Sequence, residues 1–372
     1  MPSSFPLPSA DPVSLGLRPE KLDQLDRLIR RHIEEGRYPG CQIAVARHGG
    51  LALFRTYGDA RTEPRVAAAE DTLWLLFSNT KVLTMAAAWS LVEDGALSFM
   101  DRVADHVPEF AARGKGEITL FQVATHQAGF PGAGVSRAAW GDHARMRTEV
   151  CDFSLEWTPG SKVRYHGRAA HDVMAVVIEA ITGQDFRQVI HERVIAPLGL
   201  SGELFVGVPR QDQHRCADIH PEGPEIVGDN SPEFRAAGIP GAGGFGTARA
   251  MAAFYQMMVG EGCLGERRLF SRRLIEYVTR DFTGERGDEF MSDIPMHRGL
   301  GPHLRGHGER VRGLGSLAWP GTFGHGGVGT SYCWGDPESG VSFAYVTNQL
   351  QPDPWHSARL DRISNLVHAA IE

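Results

Sequence analysis

The stretch Leu75-Leu76-Phe77-Ser78-Asn79-Thr80-Lys81-Val82-Leu83-Thr84-Met85 decides how this chain is interpreted, because it sets a serine and a lysine three residues apart at the start of an apolar helix. Side chains at positions i and i+3 lie on one face of a helix, so the Lys81 amine can reach the Ser78 hydroxyl. The apolar neighbours would exclude water and disfavour the charged ammonium form, which leaves an amine able to act as a base toward serine. The backbone N–H groups at the helix N-terminus suit a developing oxyanion.

Lysine is rare in this sequence, which makes its place in an apolar helix informative. Of 38 lysines and arginines, four are lysines: Lys21, Lys81, Lys115 and Lys162. Burying a charge is costly unless the charge has a partner. The alternative is a surface lysine that merely follows a serine, since S-x-x-K is a short pattern that also matches by chance. The apolar residues on both sides favour the paired interpretation.

Composition and charge bound the class of protein. With 372 residues, of which 42% are hydrophobic, the chain can form two lobes of ordinary size. A net charge of −7 gives no electrostatic footprint for nucleic acid or an anionic membrane, and no stretch approaches the length of a membrane span. The five cysteines are far apart and form no C-x-x-C pair, which argues against a zinc site or a disulfide framework. The first eight residues do not resemble a signal peptide, so we expect a cytoplasmic protein.

The pattern along the chain predicts an α/β (α+β) fold, in which both ends contribute to a central antiparallel sheet flanked by helices. Strands are expected at residues 41–46 and 51–57, and after residue 299 at 313–315, 322–328, 331–335 and 341–347. Helices are expected at 18–36, 78–94, 119–126, 168–183, 186–196, 247–260 and 355–371. Residues 1–98 and 233–372 would then form the sheet domain and residues 99–232 a mostly helical lobe, with the active site in the cleft between them.

Two further segments offer the remaining parts of a serine-nucleophile site. Tyr165 follows Pro159-Gly160, and a tyrosine near a serine–lysine pair can relay a proton. The segment Gly324-His325-Gly326-Gly327-Val328-Gly329 is typical of an edge strand that a ligand can approach closely. An N–H on that strand would complete an oxyanion hole with the N–H of Ser78. G-x-S-x-G is absent, so the nucleophile elbow of α/β-hydrolases is not supported.

Other conspicuous residues have simpler interpretations. His297, His303 and His307 have no carboxylate at ligand spacing, so no metal site is expected. Residues 285–289 are expected to form a surface loop, and His126 is expected to fix a loop near the site. The tryptophans beside the histidine–glycine strand, Trp319 and Trp334, either line an acyl pocket or belong to the core.

Taken together, these segments resemble the serine β-lactamase and penicillin-recognising superfamily, in its class C-like branch, and most of all the family VIII carboxylesterases. The resemblance covers roughly residues 20–350, and its landmarks run in the family's order. They are Phe77-Ser78-Asn79-Thr80-Lys81, Leu91-Val92-Glu93-Asp94-Gly95-Ala96-Leu97, Val107-Pro108-Glu109-Phe110, Thr125-His126-Gln127-Ala128-Gly129, Pro159-Gly160 before Tyr165, Thr182-Gly183, Pro197-Leu198-Gly199, Gly241-Ala242-Gly243-Gly244 and Gly324-His325-Gly326-Gly327.

The resemblance implies a role for each matching residue. Ser78 matches the acylated nucleophile, Lys81 its activating partner and Tyr165 the tyrosine of the Y-x-N element. The strand motif that is K-T-G in β-lactamases, and H-x-G in several peptidase and esterase relatives, is matched by His325-Gly326-Gly327, after which Val328 would supply the oxyanion N–H.

Two departures from that pattern bear on the substrate. The Y-x-N asparagine is replaced by Gly167, which leaves room and removes a polar anchor for a substrate amide. His325 stands where β-lactamases have lysine, and a neutral imidazole is a weaker anchor for a carboxylate. Both changes favour a less acidic acyl substrate, and an ester is chemically the easiest to cleave.

The sequence therefore predicts a serine hydrolase that acts through an acyl-enzyme on Ser78, most simply a carboxylesterase for short-chain or small-molecule esters, with no metal or cofactor. The alternatives on the same Ser-Lys-Tyr site are an acyltransferase, a D-aminopeptidase or amidase, and a weak β-lactamase. An alternative outside enzymology is a sensor domain that binds its ligand covalently. The expected partner is a small-molecule ester or acyl substrate, without nucleic acid or membrane, and the oligomeric state stays open.

Overall fold

A seven-stranded antiparallel sheet joins both ends of the chain in the computed structural model, which describes residues 5–220, 230–309 and 313–372. The strands of the whole structure are β1 (Gly40–Arg47), β2 (Gly50–Thr62), β3 (Arg65–Ala67), β4 (Trp74–Leu75), β5 (Leu204–Val206), β6 (Gly244–Gly246), β7 (Cys263–Leu264), β8 (Arg267–Arg268), β9 (Gly287–Asp288), β10 (Ile294–Pro295), β11 (His303–Leu304), β12 (Phe323–Gly326), β13 (Tyr332–Asp336) and β14 (Val341–Thr347). The main sheet has the order β11-β12-β13-β14-β1-β2-β3. The first strand of the chain therefore pairs directly with the last.

Helices cover both faces of this sheet and fill the segment between its two halves. They are α1 (Pro19–Glu34), α2 (Thr80–Glu93), α3 (Val103–His106), α4 (Leu120–Ala124), α5 (His143–Cys151), α6 (Ala169–Thr182), α7 (Phe186–Ile190), α8 (Pro232–Ala237), α9 (Ala248–Val259), α10 (Arg272–Val278) and α11 (Trp355–His368). The terminal helices α1 and α11 pack together, and α9 packs on β1, β13 and β14. Among the described residues no helix is long and apolar enough to cross a membrane.

Alternation along β1 shows why the sheet is covered on both faces. Successive side chains of a strand point to opposite faces. Ile43 and Val45 pack with the terminal helices, whereas Ala44 and Ala46 belong to the larger core that contains α2, α6 and α9. The small alanines let α9 lie close to the sheet. A strand that is apolar on both faces needs a covering layer on each face. The terminal helices α1 and α11 supply one of these two layers.

A small three-stranded sheet brings the nucleophile region against a later part of the chain. Its order is β4-β6-β5, and β4 comes directly before the turn that carries Ser78. Register pairs Leu75 with Phe245. The short helix formed by Phe77–Asn79 follows and leads into α2.

The predicted fold class is confirmed, and so is the strand at Val341–Thr347. The prediction of a strand at residues 313–315 is wrong. Gly313 and Gly315 adopt positive φ angles of 79° and 95°, which break the extended conformation, while Leu314 is buried beside the terminal helices. The strand at that edge of the sheet is His303–Leu304 instead. The division into a sheet domain and a helical lobe stays a prediction.

Candidate active site

Ser78 lies on a tight turn between β4 and α2. The preceding residue, Phe77, has a φ of 44°, a left-handed conformation that costs a non-glycine residue roughly 1–3 kcal/mol. Such strain persists only where the surroundings impose it, and here it turns the half-buried Ser78 toward a cavity. Lys81 is fully buried in the first turn of the helix, and its Nζ lies 3.0 Å from Ser78 Oγ. The spacing predicted from the sequence thus places the two side chains at hydrogen-bonding distance.

The amine of Lys81 has a second partner, supplied by the glycine-rich segment before β6. Lys81 Nζ donates to the carbonyl of Gly241 at 2.7 Å. A Cβ at position 241 would stand 3.2 Å from that nitrogen, so glycine permits the close approach. The same segment is fastened to α2 because Thr84 Oγ1 donates to Pro240 O at 2.6 Å and Gly244 N donates to Thr80 Oγ1 at 2.8 Å. The sequence marked this segment as a landmark, but did not reveal that it orients the lysine.

Tyr165 faces the same cavity from the other side. Its ring centroid lies 5.2 Å from Lys81 Nζ and 5.0 Å from Arg298 Cζ, so an amine and a guanidinium flank the phenol ring. Its backbone N–H donates to Asp288 Oδ1 at 3.0 Å. The structure therefore brings together the predicted Ser78, Lys81 and Tyr165, and adds a pair of residues that sequence reasoning missed.

That pair is a buried ion pair, and it makes Asp288 the exception in a segment whose other charged residues, Glu285, Arg286 and Glu289, are exposed as expected of a surface loop. Arg298 Nη2 lies 2.7 Å from Asp288 Oδ2, and the Asp288 side chain is fully enclosed. Asp288 also bridges to Val163 in the segment that leads to Tyr165. The loop is therefore anchored beside the tyrosine through Asp288, while the next two residues, Glu289 and Phe290, are exposed. An acidic residue between two glycine-containing turns gave no signal that distinguished burial from solvation.

The histidine next to Tyr165 serves the backbone. Phe130 N–H donates to His166 Nε2 at 3.2 Å, so Nδ1 carries the proton and donates to Arg164 O at 2.7 Å. Burial lowers the pKa of His166 to about 4, which keeps the ring neutral. The backbone N–H of His166 donates to Nδ1 of His126 at 3.1 Å, and the His126 ring packs on Tyr165. These contacts fix the path of the tyrosine segment.

Gly167 occupies the position at which the resemblance places an asparagine. It is exposed toward the cavity, and a Cβ added there would meet nothing within 4 Å. The space expected from the sequence is therefore present. No side-chain amide fills it.

His325 lies on β12 at the floor of the cavity. Its ring is buried and lies 6.2 Å from that of Tyr165, and Nδ1 lies 2.9 Å from Gly326 O. Burial, reinforced by the neighbouring His303 and Lys81, holds the pKa of His325 well below its usual range. The strand thus presents a neutral imidazole where a lysine would present a charge.

The end of β12 approaches the Ser78 turn very closely. A Cβ at Gly327 would stand 2.7 Å from Leu76 O, so only glycine fits. Gly327 N–H donates to Ser331 O at 2.9 Å, whereas the N–H of Val328 has no hydrogen-bond partner in the part of the chain that the structure describes. Val328 is 61% exposed at the cavity. The role of this N–H in the oxyanion hole stays a prediction.

A single cavity of about 1280 Å³ is lined by the predicted residues Ser78, Tyr165 and His325 through Val328. Further lining comes from aromatic residues that the sequence did not single out, Trp140, Phe234 and Phe290. Neither Trp319 nor Trp334 lines this cavity within the described ranges. Trp334 belongs to the core, where it stacks on His368 at 4.4 Å.

Among the residues that the structure describes, one further group of side chains has the composition of a metal site. Ligand-type atoms of His143, Glu179 and Asp185 lie within 4.8 Å of one another. Arg187 donates to both Asp185 and His143, so a guanidinium already provides the cation there. The expectation that the reaction needs no cofactor stays a prediction.

Proteins with similar sequences and structures are known for this chain. A family model described as Beta-lactamase matches residues 25–367. The "Esterase/beta-lactamase LipL" of Mycobacterium tuberculosis is 30% identical over 84% of this chain and 78% of its own length. The crystal structure of a family VIII carboxylesterase superposes with a TM-score of 0.82 at 26% identity, over 94% of this chain and 98% of the other. A penicillin-binding protein homologue from Caulobacter crescentus superposes with a TM-score of 0.81 at 27% identity, over 95% and 99%.

Proposed function

Because the chain belongs to the beta-lactamase family and is a serine hydrolase of that family, we propose that it is a carboxylesterase for short-chain or small-molecule esters, acting through an acyl-enzyme on Ser78. The observation that carries the proposal is the 3.0 Å separation of Lys81 Nζ and Ser78 Oγ inside a buried helix turn. A nucleophilic serine needs a base within hydrogen-bonding reach, and this contact provides one.

The first half of the reaction forms the acyl-enzyme. Lys81 and Tyr165 together take the proton of Ser78 while Oγ attacks the ester carbonyl. The resulting oxyanion accepts hydrogen bonds from the N–H groups of Ser78 and Val328. Collapse of this intermediate breaks the bond to the alcohol oxygen, which leaves as the alcohol after Tyr165 gives it a proton.

The second half releases the acid. Water enters the position of the departed alcohol, Tyr165 accepts one of its protons, and the oxygen adds to the acyl carbon. The second oxyanion uses the same two N–H groups, and its collapse returns the proton to Ser78 Oγ. The cycle consumes one ester and one water, and produces one acid and one alcohol.

Two features support an ester rather than an amide or a β-lactam. Position 167 offers no side-chain amide to hold a substrate amide, since it is glycine. The neutral, buried His325 gives no fixed charge for the carboxylate of a penicillin-like substrate. The relatives named as an esterase and as a family VIII carboxylesterase support the same choice.

Hydrolysis of p-nitrophenyl acetate and butyrate, measured alongside a chromogenic cephalosporin, tests the proposal. We expect rapid ester cleavage that Ser78→Ala abolishes and little cephalosporin turnover. Ser201→Ala, which changes an exposed serine that does not line the cavity, is the matched control and should keep the full rate.

Each other outcome would redirect the assignment. Ester cleavage that survives in Ser78→Ala would refute the acyl-enzyme on that residue. Strong cephalosporin turnover would make the β-lactamase the better description. A stable adduct on Ser78 without release would support the covalent-binding sensor, and product formation only with added alcohol or amine would support an acyltransferase.

A further inference from the structure

Among the described residues, the lining of the cavity at Ser78 holds more arginines than carboxylates, although the chain as a whole carries a net charge of −7. Three arginines line it, Arg137, Arg168 and Arg298. The carboxylate among the lining residues is that of Asp353, whose Oδ1 already accepts hydrogen bonds from the N–H and Oγ of Ser357. A cleft with one sign of charge concentrates ligands of the opposite sign.

The three arginines differ in what they contact. Arg298 is buried and committed to Asp288. Arg137 and Arg168 are both exposed, and neither forms an ion pair or a side-chain hydrogen bond with any residue that the structure describes. Two guanidinium groups are therefore available to a ligand at the cavity.

These two arginines lie at the same edge of the cavity. A Cβ at Gly134 would stand 3.1 Å from Arg168 Nε, so the Arg168 side chain lies against the segment just before Arg137. The guanidinium of Arg137 lies 5.2 Å from the ring centroid of Trp140, which limits where it can point. Asp172, the acid one turn further along α6, is buried and its Oδ2 accepts the Val135 N–H at 3.4 Å.

The rest of that cavity wall is apolar. Trp140, Phe234, Ile239 and Ala242 line it and belong to one hydrophobic cluster behind the Ser78 turn. An apolar surface next to unpaired guanidinium groups matches a ligand with a hydrocarbon part and an anionic end. Guanidinium groups bind carboxylates in a planar, two-pronged geometry, which favours a carboxylate as that end.

We propose that Arg168 and Arg137 form a carboxylate-binding subsite, and that the natural substrate is an ester carrying a carboxylate several atoms from the scissile carbonyl. This inference rests on the proposed esterase function. The less acidic substrate expected from the sequence depends on Gly167, which removes an amide, and on His325, which lacks the charge that would hold a carboxylate; Arg168 and Arg137 supply such a charge. The charge that position 325 lacks is thus offered by another part of the cavity lining.

Two pairs of chromogenic esters test the subsite. In the first, mono-4-nitrophenyl adipate is compared with 4-nitrophenyl hexanoate, which has the same chain length without the carboxylate. In the second, 4-acetoxybenzoate is compared with its methyl ester, which places the carboxylate on the alcohol side instead. We expect a higher kcat/KM for the anionic member of one pair, and the pair in which it is found identifies the side of the ester that carries the carboxylate.

Substitution then shows whether the arginines cause the preference. Arg168→Gln with Arg137→Gln should lower the ratio of anionic to neutral kcat/KM about tenfold, mainly through KM, since a charge-assisted hydrogen bond is lost at each position. Arg168→Lys should keep part of the ratio. Arg147→Gln is the matched control, because Arg147 is a partly exposed arginine on α5 that pairs with Glu109 and does not line the cavity.

The wild-type enzyme provides a test that does not depend on how the variants fold. Raising the salt concentration should weaken the preference for the anionic ester, because salt screens exposed charges. Ser78-dependent hydrolysis of both neutral esters, with no anionic preference or with a ratio unchanged in the arginine variants, would overturn the subsite alone. Absence of Ser78-dependent turnover of every ester would overturn the proposed function and the subsite together.

Discussion

The two halves of the candidate site are held in place by different means. Ser78 and Lys81 belong to one helix turn, and the glycine segment that docks on that turn adds a carbonyl at 2.7 Å. Tyr165 is held by residues more than 100 positions away, through Asp288 and the Arg298 beside its ring. Substitution in the first half should therefore remove chemistry, whereas substitution around the second half should also loosen geometry.

The largest loss of activity is expected at Lys81, which contacts the Ser78 hydroxyl directly. Lys81→Met removes the amine from Ser78 and keeps an unbranched side chain in the buried turn, so kcat for p-nitrophenyl butyrate should fall about 10³-fold. Lys115→Met is the contrasting variant, since Lys115 is equally buried but donates only to the carbonyls of Ala112, Cys151 and Phe153. It should lower the free energy of unfolding and keep kcat per folded molecule. If the Lys81→Met variant has the same kcat as the wild-type enzyme, Lys81 takes no part in the mechanism.

Tyr165→Phe is expected to be the next most damaging change. It deletes the hydroxyl that protonates the alcohol and activates water, but keeps the ring and its backbone contact with Asp288, so kcat should fall about 10²-fold at unchanged stability. Rapid-mixing kinetics should show both acylation and deacylation slowed. A loss confined to KM would assign the tyrosine to binding instead.

The anchoring of the second half can be broken separately. Arg298→Met removes the cation beside the Tyr165 ring and leaves Asp288 without its partner, so we expect kcat to fall about tenfold and stability to fall as well. Arg298→Lys restores a cation and should recover most of kcat. A stability loss without a kcat loss in folded protein would show that the ion pair serves the fold alone.

The same contrast explains what could be predicted from the sequence. Ser78 and Lys81 could be predicted from their spacing on a helix, and Tyr165 and His325 from the short motifs around them. Each of these signals lies within a few neighbouring residues. Asp288 and Arg298 gave no such signal, since an acidic residue in a polar loop looks solvated until tertiary contacts bury it. The arginines at the cavity edge likewise look like any others in an arginine-rich chain until the structure shows them without an ion-pair partner among the described residues.

Substitutions at Gly167 test whether the open space beside Tyr165 sets the preference for esters over β-lactams. Gly167→Asn should raise cephalosporin turnover relative to butyrate hydrolysis about tenfold, because a side-chain amide regains a hydrogen bond to a substrate amide where a Cβ meets nothing within 4 Å. Gly167→Ala fills part of the space without an amide and should leave the ratio near that of the wild type. An identical ratio in all three enzymes would show that position 167 does not govern substrate choice.

The smallest effect on activity, and a clear one on stability, is expected at Asp172, which lies in α6 seven residues after Tyr165. Burial raises the pKa of Asp172 to about 6, so the folded protein holds this proton more tightly than the unfolded chain does. The free energy of unfolding should therefore fall as pH rises from about 4 to about 6, by an amount on the order of 3 kcal/mol. Asp172→Asn carries no titrating proton, so its urea midpoint should lose that pH dependence and exceed that of the wild type at pH 7, with kcat within about twofold. If the urea midpoint of the wild type does not change between pH 4 and 6, the Asp172 carboxylate finds a partner when it ionises, and its ionisation does not destabilise the fold.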